Sequence, residues 1–349
     1  MKKWFKVSLI IALAILVLII AIAFAYILIN SNRFADILIH HTLEERLAVY
    51  ENNPNMTSDQ LDSLLNIPEE RTAILENNSK LQKYYLDSLL NHYNLTNVEE
   101  LWLTTEDSMN LEAIYFPSKN GAAIIYAHGF KSGRFGNLHL VTPAVLVKNG
   151  YGVLYTMRRA HGNSDGELIT FGKDELKDIE ISYQYLISKN EVNPEKIGII
   201  GWSMGGALSI KYAAENTNIK AVVSECAYDS FDNTLGVSVV AFTGLPAFPF
   251  ANIIKFFMER KLGFEIGKYD PINSITQISP RPVFILTAGK DATVDPTGGQ
   301  NLFDAAGEPI EYWYEAEYIH NGFRTVNIEE YERRIVGFFD RYLFPEENN

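Results

Sequence analysis

The stretch Lys196–Ile210 reads KIGIIGWSMGGALSI. It joins an apolar β-type run, Ile197–Trp202, to a helix-type run starting at Met204, with Ser203 at the joint between Gly201 and the pair Gly205–Gly206. Glycines on both sides of a serine predict a strand-to-helix turn too tight for larger side chains, one that pushes the hydroxyl out where a substrate can reach it. Ser203 is then a candidate nucleophile. The Met204 N–H, at the helix N-terminus, is a candidate donor to an oxyanion, helped by the helix dipole. A G-x-S-x-G pentad also arises from close helix–strand packing alone; its position after a strand and before a helix favours the chemical reading.

Outward from this joint the pattern alternates. β-type runs fall at Ala122–Ala127, Gly152–Met157, Ala221–Cys226, Val283–Ala288 and Ile310–Ala316, with helix-type runs such as Lys173–Lys189, Met204–Glu215 and Ile328–Leu343 between and after them. This predicts an α/β fold, a mostly parallel central sheet covered by helices on both faces. A hairpin around Glu106-Asp107-Ser108 precedes it. The aromatic-rich segment 235–264 interrupts the alternation and is either a lid insertion over the site or a segment that packs on the core or a membrane.

In such sheets the ligand site lies beyond the carboxyl ends of the strands. After the first parallel β-run comes YAHGFKSGRFG, where Gly129 lets the backbone approach a ligand and the Phe130 N–H is a second oxyanion donor. His128 reads as a brace for this loop. His161, in the polar loop RRAHGNSDGE, is a rival base, weakened by its position before the serine strand. After Val283–Ala288, GKDATVDP offers two carboxylates; Asp295-Pro296 looks like a helix start, which favours Asp291 as the acid. After the last β-run, EYIHNGF places His320 in a loop before the final helix. The order Ser203, Asp291, His320 is that of the α/β-hydrolase triad.

The chain has 43 acidic against 30 basic residues, a net charge of -13, which argues against a nucleic-acid partner. Its single cysteine, Cys226, excludes an intrachain disulfide and a cysteine zinc site, and reads as a small buried hydrophobe. No Gly-x-Gly-x-x-Gly follows a strand and no histidines share ligand spacing, so neither a metal nor an organic cofactor is implied. At the N-terminus a basic tail, 1–6, precedes Val7–Ile29, 23 residues in which only Ser8 is clearly polar, long enough to cross a bilayer. Lys2, Lys3 and Lys6 before this span place the N-terminus in the cytoplasm and the bulk of the chain outside. Cleavage as a signal at Ala23-Phe24-Ala25 is the alternative. The expected organisation is tail 1–6, transmembrane anchor 7–29, helical stalk or N-terminal cap 30–97 and catalytic domain 98–345.

The motifs HGF (128–130), RRAHGNSDGE (158–167), ITFGKDELKD (169–178), GWSMGG (201–206), GKDATVDP (289–296) and His320 together resemble the α/β-hydrolase superfamily, and within it the serine-aminopeptidase-like branch. The resemblance covers about Val98 to Leu343. It implies Ser203 as nucleophile, Asp291 as acid, His320 as base, and Phe130 and Met204 as oxyanion donors. One departure is that Asp291 follows Gly289 by two positions, where relatives often show Gly-x-x-Asp; this keeps Asp295 as a weaker rival. The expected activity is cleavage of carboxylic esters, of carboxylesterase or lipase-like type, with a small-peptide peptidase as the alternative. A membrane-anchored binding protein with an inactive site is the reading from another class.

Overall fold

The computed structural model describes residues 25–41, 86, 87, 90–132, 135 and 137–345. Eight strands form one sheet in the order β1-β2-β4-β3-β5-β6-β7-β8. They are β1 (Glu99–Thr104), β2 (Asn110–Phe116), β3 (Ala123–Ala127), β4 (Gly152–Thr156), β5 (Ile197–Trp202), β6 (Ala221–Glu225), β7 (Val283–Ala288) and β8 (Ile310–Glu315). β1 and β2 are the expected hairpin, and β2 also runs antiparallel to β4. All pairs from β4 through β8 are parallel. Helices α1 (Asn137–Lys148), α2 (Glu175–Ile187), α3 (Met204–Glu215), α4 (Phe231–Thr243), α5 (Ala247–Leu262), α6 (Pro296–Ala305), α7 (Gly322–Thr325) and α8 (Ile328–Leu343) cover it.

Alternation along the strands builds two cores, one on each face. Ile125, Ile199, Val222 and Ile285 point into one; Ile124, Tyr126, Ile200, Val223, Phe284 and Leu286 point into the other. The central strands are buried along their length, so their sequences read as unbroken apolar runs. The strand order reverses at β3 and β5: the chain leaves β3 toward β4 and leaves β5 toward β6 on the opposite side. In sheets of this kind ligands bind beyond the carboxyl ends of the strands at such a switch, here β3 and β5. The register sets Ala127 beside Gly201, so His128-Gly129 emerges next to Trp202-Ser203.

Segment 235–264 falls in α4 and α5, two helices in mutual contact. Leu235, Val239, Ile254 and Met258 bury one face in the core, while Val240, Leu245, Phe248 and Phe256 are exposed. Most of the expected transmembrane span, residues 7–24, lies outside the described residues, as do 42–85 of the expected stalk. Among the described residues no helix is long and apolar enough to cross a membrane, so a transmembrane helix is not part of the fold described here. A helix over 25–39 instead docks on the body. The Lys131 ammonium donates to the Ile37 carbonyl (2.7 Å), and Asp36 pairs with Lys261 of α5 (2.6 Å).

Candidate active site

Ser203 occupies the joint between β5 and α3 with φ 57° and ψ −125°. A non-glycine residue at positive φ is strained, on the order of 1–3 kcal/mol, and holds only where its surroundings dictate it. Here they do. A β-carbon on Gly201 would lie 2.1 Å from the Gly205 carbonyl oxygen, and one on Gly205 would lie 2.0 Å from that of Ala127. The Ser203 N–H donates to the Glu225 carbonyl (2.8 Å). Serine is a favoured helix N-cap, yet the Ser203 hydroxyl caps nothing.

The histidine loop packs onto this joint. The Trp202 indole N–H donates to the His320 carbonyl (3.1 Å), and the two rings lie 4.8 Å apart. His320 Nδ1 is 2.5 Å from Asp291 Oδ2. The other Asp291 oxygen accepts the Thr293 N–H (2.8 Å) and the Val294 N–H (2.9 Å), which fixes the carboxylate facing the imidazole. Asp295 has the other role read for it: it caps α6, accepting the Thr297 N–H (2.9 Å).

Gly129 brings the loop after β3 against the serine, since a β-carbon there would lie 3.4 Å from Ser203 Cβ and 2.7 Å from the Trp202 ring. No hydrogen bond among the described residues engages the N–H of Phe130 or of Met204. The Phe130 ring stacks on Phe171 (5.7 Å), which meets Phe231 at the root of α4 (4.7 Å).

His128 is fully buried; its Nε2 accepts the Arg158 N–H (3.1 Å), so the proton sits on Nδ1 and is donated to the Gly129 carbonyl (2.9 Å). Burial, reinforced by the Arg158 charge, lowers its pKa well below the usual histidine value. His161 is also buried, held by the Arg159 carbonyl (2.9 Å) beside the His128 ring (4.5 Å). The two histidines thus lie together in the loops that follow β3 and β4.

Two groupings here were not read from the sequence. Cys226, buried as expected, places its sulfur, an Asp291 oxygen and a His320 nitrogen within 4.8 Å of one another, a group that could hold a metal ion among the described residues. Glu225 and Arg324 form a fully buried ion pair beneath Trp202 (2.9 Å). The only sequence cue for Glu225 was its position at the end of a β-type run; the register sets it beside Trp202.

The family model of the X-Pro dipeptidyl-peptidase (S15 family) matches residues 67–242, half of the chain. Among curated relatives, the uncharacterized protein YqkD of Bacillus subtilis is 25% identical over 64% of this chain and 73% of its own length. Thiohydrolase aneE of Aspergillus aculeatus is 24% identical over 64% of this chain and 86% of its own length. Among solved structures, a Pyrococcus furiosus esterase superposes with a TM-score of 0.63 at 23% identity, covering 73% of this chain and 94% of its own. The α/β hydrolase GrgF of Penicillium does so with a TM-score of 0.56 at 18% identity, covering 71% and 99%. The expected superfamily is thereby reached through a family model other than the serine-aminopeptidase-like branch. The chain is a hydrolase of esterase or peptidase type with the α/β-hydrolase fold, and it belongs to the X-Pro dipeptidyl-peptidase (S15) family.

Proposed function

We propose that the protein is a serine hydrolase that cleaves carboxylic esters through an acyl-enzyme. The observation that carries this reading is the Asp291–His320 contact of 2.5 Å beside a serine whose hydroxyl caps no helix. In the proposed cycle His320 Nε2 takes the Ser203 proton as Oγ attacks the ester carbonyl. Asp291 holds the proton on Nδ1 and stabilises the imidazolium. The Phe130 and Met204 amides donate to the tetrahedral oxyanion. His320 then protonates the leaving alcohol, and water, activated by the same imidazole, releases the acid. The apolar side chains at the root of the α4–α5 hairpin favour an apolar acyl or aryl group. In this reading 235–264 acts as a lid.

Cleavage of short peptides is the second reading, favoured by the S15 family match. A p-nitrophenyl ester series from acetate to palmitate, run beside an Ala-Pro p-nitroanilide on one preparation, separates the two. Ester turnover at least tenfold above anilide turnover is expected; the reverse order would make the protein a peptidase. We propose further that Val7–Ile29 anchors the chain in the cell membrane, N-terminus cytoplasmic and catalytic domain extracytoplasmic; the support is its length, its apolarity and the flanking lysines.

A further inference from the structure

We propose that Arg324 and Glu225 form a buried clamp that fixes the spacing between the Ser203 turn and the His320 loop. The inference rests on the Ser203–Asp291–His320 reading above and assigns two residues that it leaves without a role. Both side chains are essentially inaccessible (0% and 1% exposed). Glu225 works at both ends: its backbone carbonyl accepts the Ser203 N–H (2.8 Å), and its carboxylate accepts Arg324 Nε and the Tyr331 hydroxyl (both 2.9 Å). Arg324 lies four residues after His320 and donates to the side chain of Asn321 (3.3 Å). Its guanidinium stacks over the Trp202 ring (4.2 Å), whose indole N–H holds the His320 carbonyl (3.1 Å). Another of its nitrogens donates to the Leu138 carbonyl (2.8 Å) in α1, the helix that follows the Phe130 loop. One buried cation thus touches the strand that leads to the nucleophile, the loop of the base and the helix that follows the Phe130 loop.

Stability does not account for such a pair, because well-packed apolar residues in place of a buried ion pair usually hold a fold as well or better. Geometry does. A planar guanidinium can donate in several fixed directions while stacking on an aromatic ring. A misplacement of about 1 Å in a reacting group costs on the order of 10²-fold in rate. Neither residue touches the reacting atoms, so both are positioning residues.

The test compares the full-length protein with Glu225→Gln/Arg324→Met, which removes both charges together and leaves no lone buried ion. The double variant should keep its Tm within about 5 °C. Its kcat on p-nitrophenyl butyrate should fall about 10- to 100-fold with KM within about threefold, and its fluorophosphonate labelling should slow in parallel. Arg324→Lys should restore the charge balance without restoring kcat, because an ammonium cannot both pair with Glu225 and stack on Trp202. A folded double variant with wild-type kcat would overturn the clamp. Should the double variant not fold, Trp202→Phe decides, since it keeps a ring under Arg324 while it deletes the bond to the His320 carbonyl and trims the ring's packing on Gly129 and His139. A fall in kcat of about 3- to 10-fold at unchanged Tm is expected there, and unchanged kcat contradicts the proposal. Ser203→Ala runs alongside. Labelling that persists in it overturns the triad reading itself; labelling lost in it but kept at the wild-type rate in the double variant overturns the clamp alone.

Discussion

Two histidines follow strands at the same end of the sheet, His128 after β3 and His320 after β8, and they have opposite surroundings. Both nitrogens of His128 are engaged by backbone, and the ring is sealed from solvent. His320 has one nitrogen on a carboxylate; no hydrogen bond among the described residues engages the other, and its side chain keeps 13% of its exposure. A base must receive a proton, so it needs a free lone pair facing the substrate and a partner for the charge it acquires. His320 has a carboxylate partner and a nitrogen that no hydrogen bond among the described residues engages, and His128 has neither. Residue type and position after a strand do not distinguish a brace from a candidate base; the partners of the two ring nitrogens do.

The largest expected effect separates the pair. His320→Ala should lower kcat/KM on p-nitrophenyl butyrate by about 10⁴-fold or more while thermal unfolding barely moves; a loss under tenfold would reverse the assignment. Asp291→Asn should cost about 10⁴-fold through the wrong imidazole tautomer. His128→Ala should do the opposite of His320→Ala. It leaves the buried Arg158 N–H without its partner, at about 1–3 kcal/mol, and takes from the Gly129 carbonyl one of two donors, the other being the Ser132 hydroxyl (3.1 Å); calorimetry should show that loss with a far smaller change in rate.

The comparison sharpens with pH. Burial and the Arg158 charge hold the folded-state pKa of His128 well below 6.5. Between pH 6.5 and that lower value the unfolded chain binds a proton that the folded chain refuses, so stability is full above about 6.5 and falls as pH drops. The slope approaches about 1.4 kcal/mol per pH unit for one group. Denaturant titrations from pH 7 to 5 should show this slope and its reduction in His128→Asn; an equal slope in both would mean the ring is not held neutral. The smallest effect concerns the two aspartates of one loop. Asp295→Ala should cost about 1 kcal/mol as a lost helix cap, with ester turnover unchanged.

Much of this was legible in the sequence because local chemistry fixed it. Apolar runs with helical stretches between them gave the parallel sheet, and α3 and α8 begin and end where the pattern changes. Asp295-Pro296 carried its helix start in the next residue, which separated it from Asp291. The Glu225–Arg324 pair was not legible, because its partners lie 99 positions apart and neither sits in a motif. The docking of the 25–39 helix was equally hidden: hydropathy shows that a face is apolar, but not that Asp36 will meet Lys261. Cys226 illustrates the limit from the other side. Burial was readable from its residue type, but its place beside Asp291 and His320 depends on the pairing of β6 with β5 and β7.

The central claim is that Ser203 is an activated nucleophile. The most direct measurement is fluorophosphonate labelling of the full-length protein beside Ser203→Ala, with the modified peptide identified by mass spectrometry. Stoichiometric modification on the peptide containing Ser203, and none in the alanine variant, is expected. A folded wild-type protein that remains unlabelled, or a label on any other residue, would contradict it.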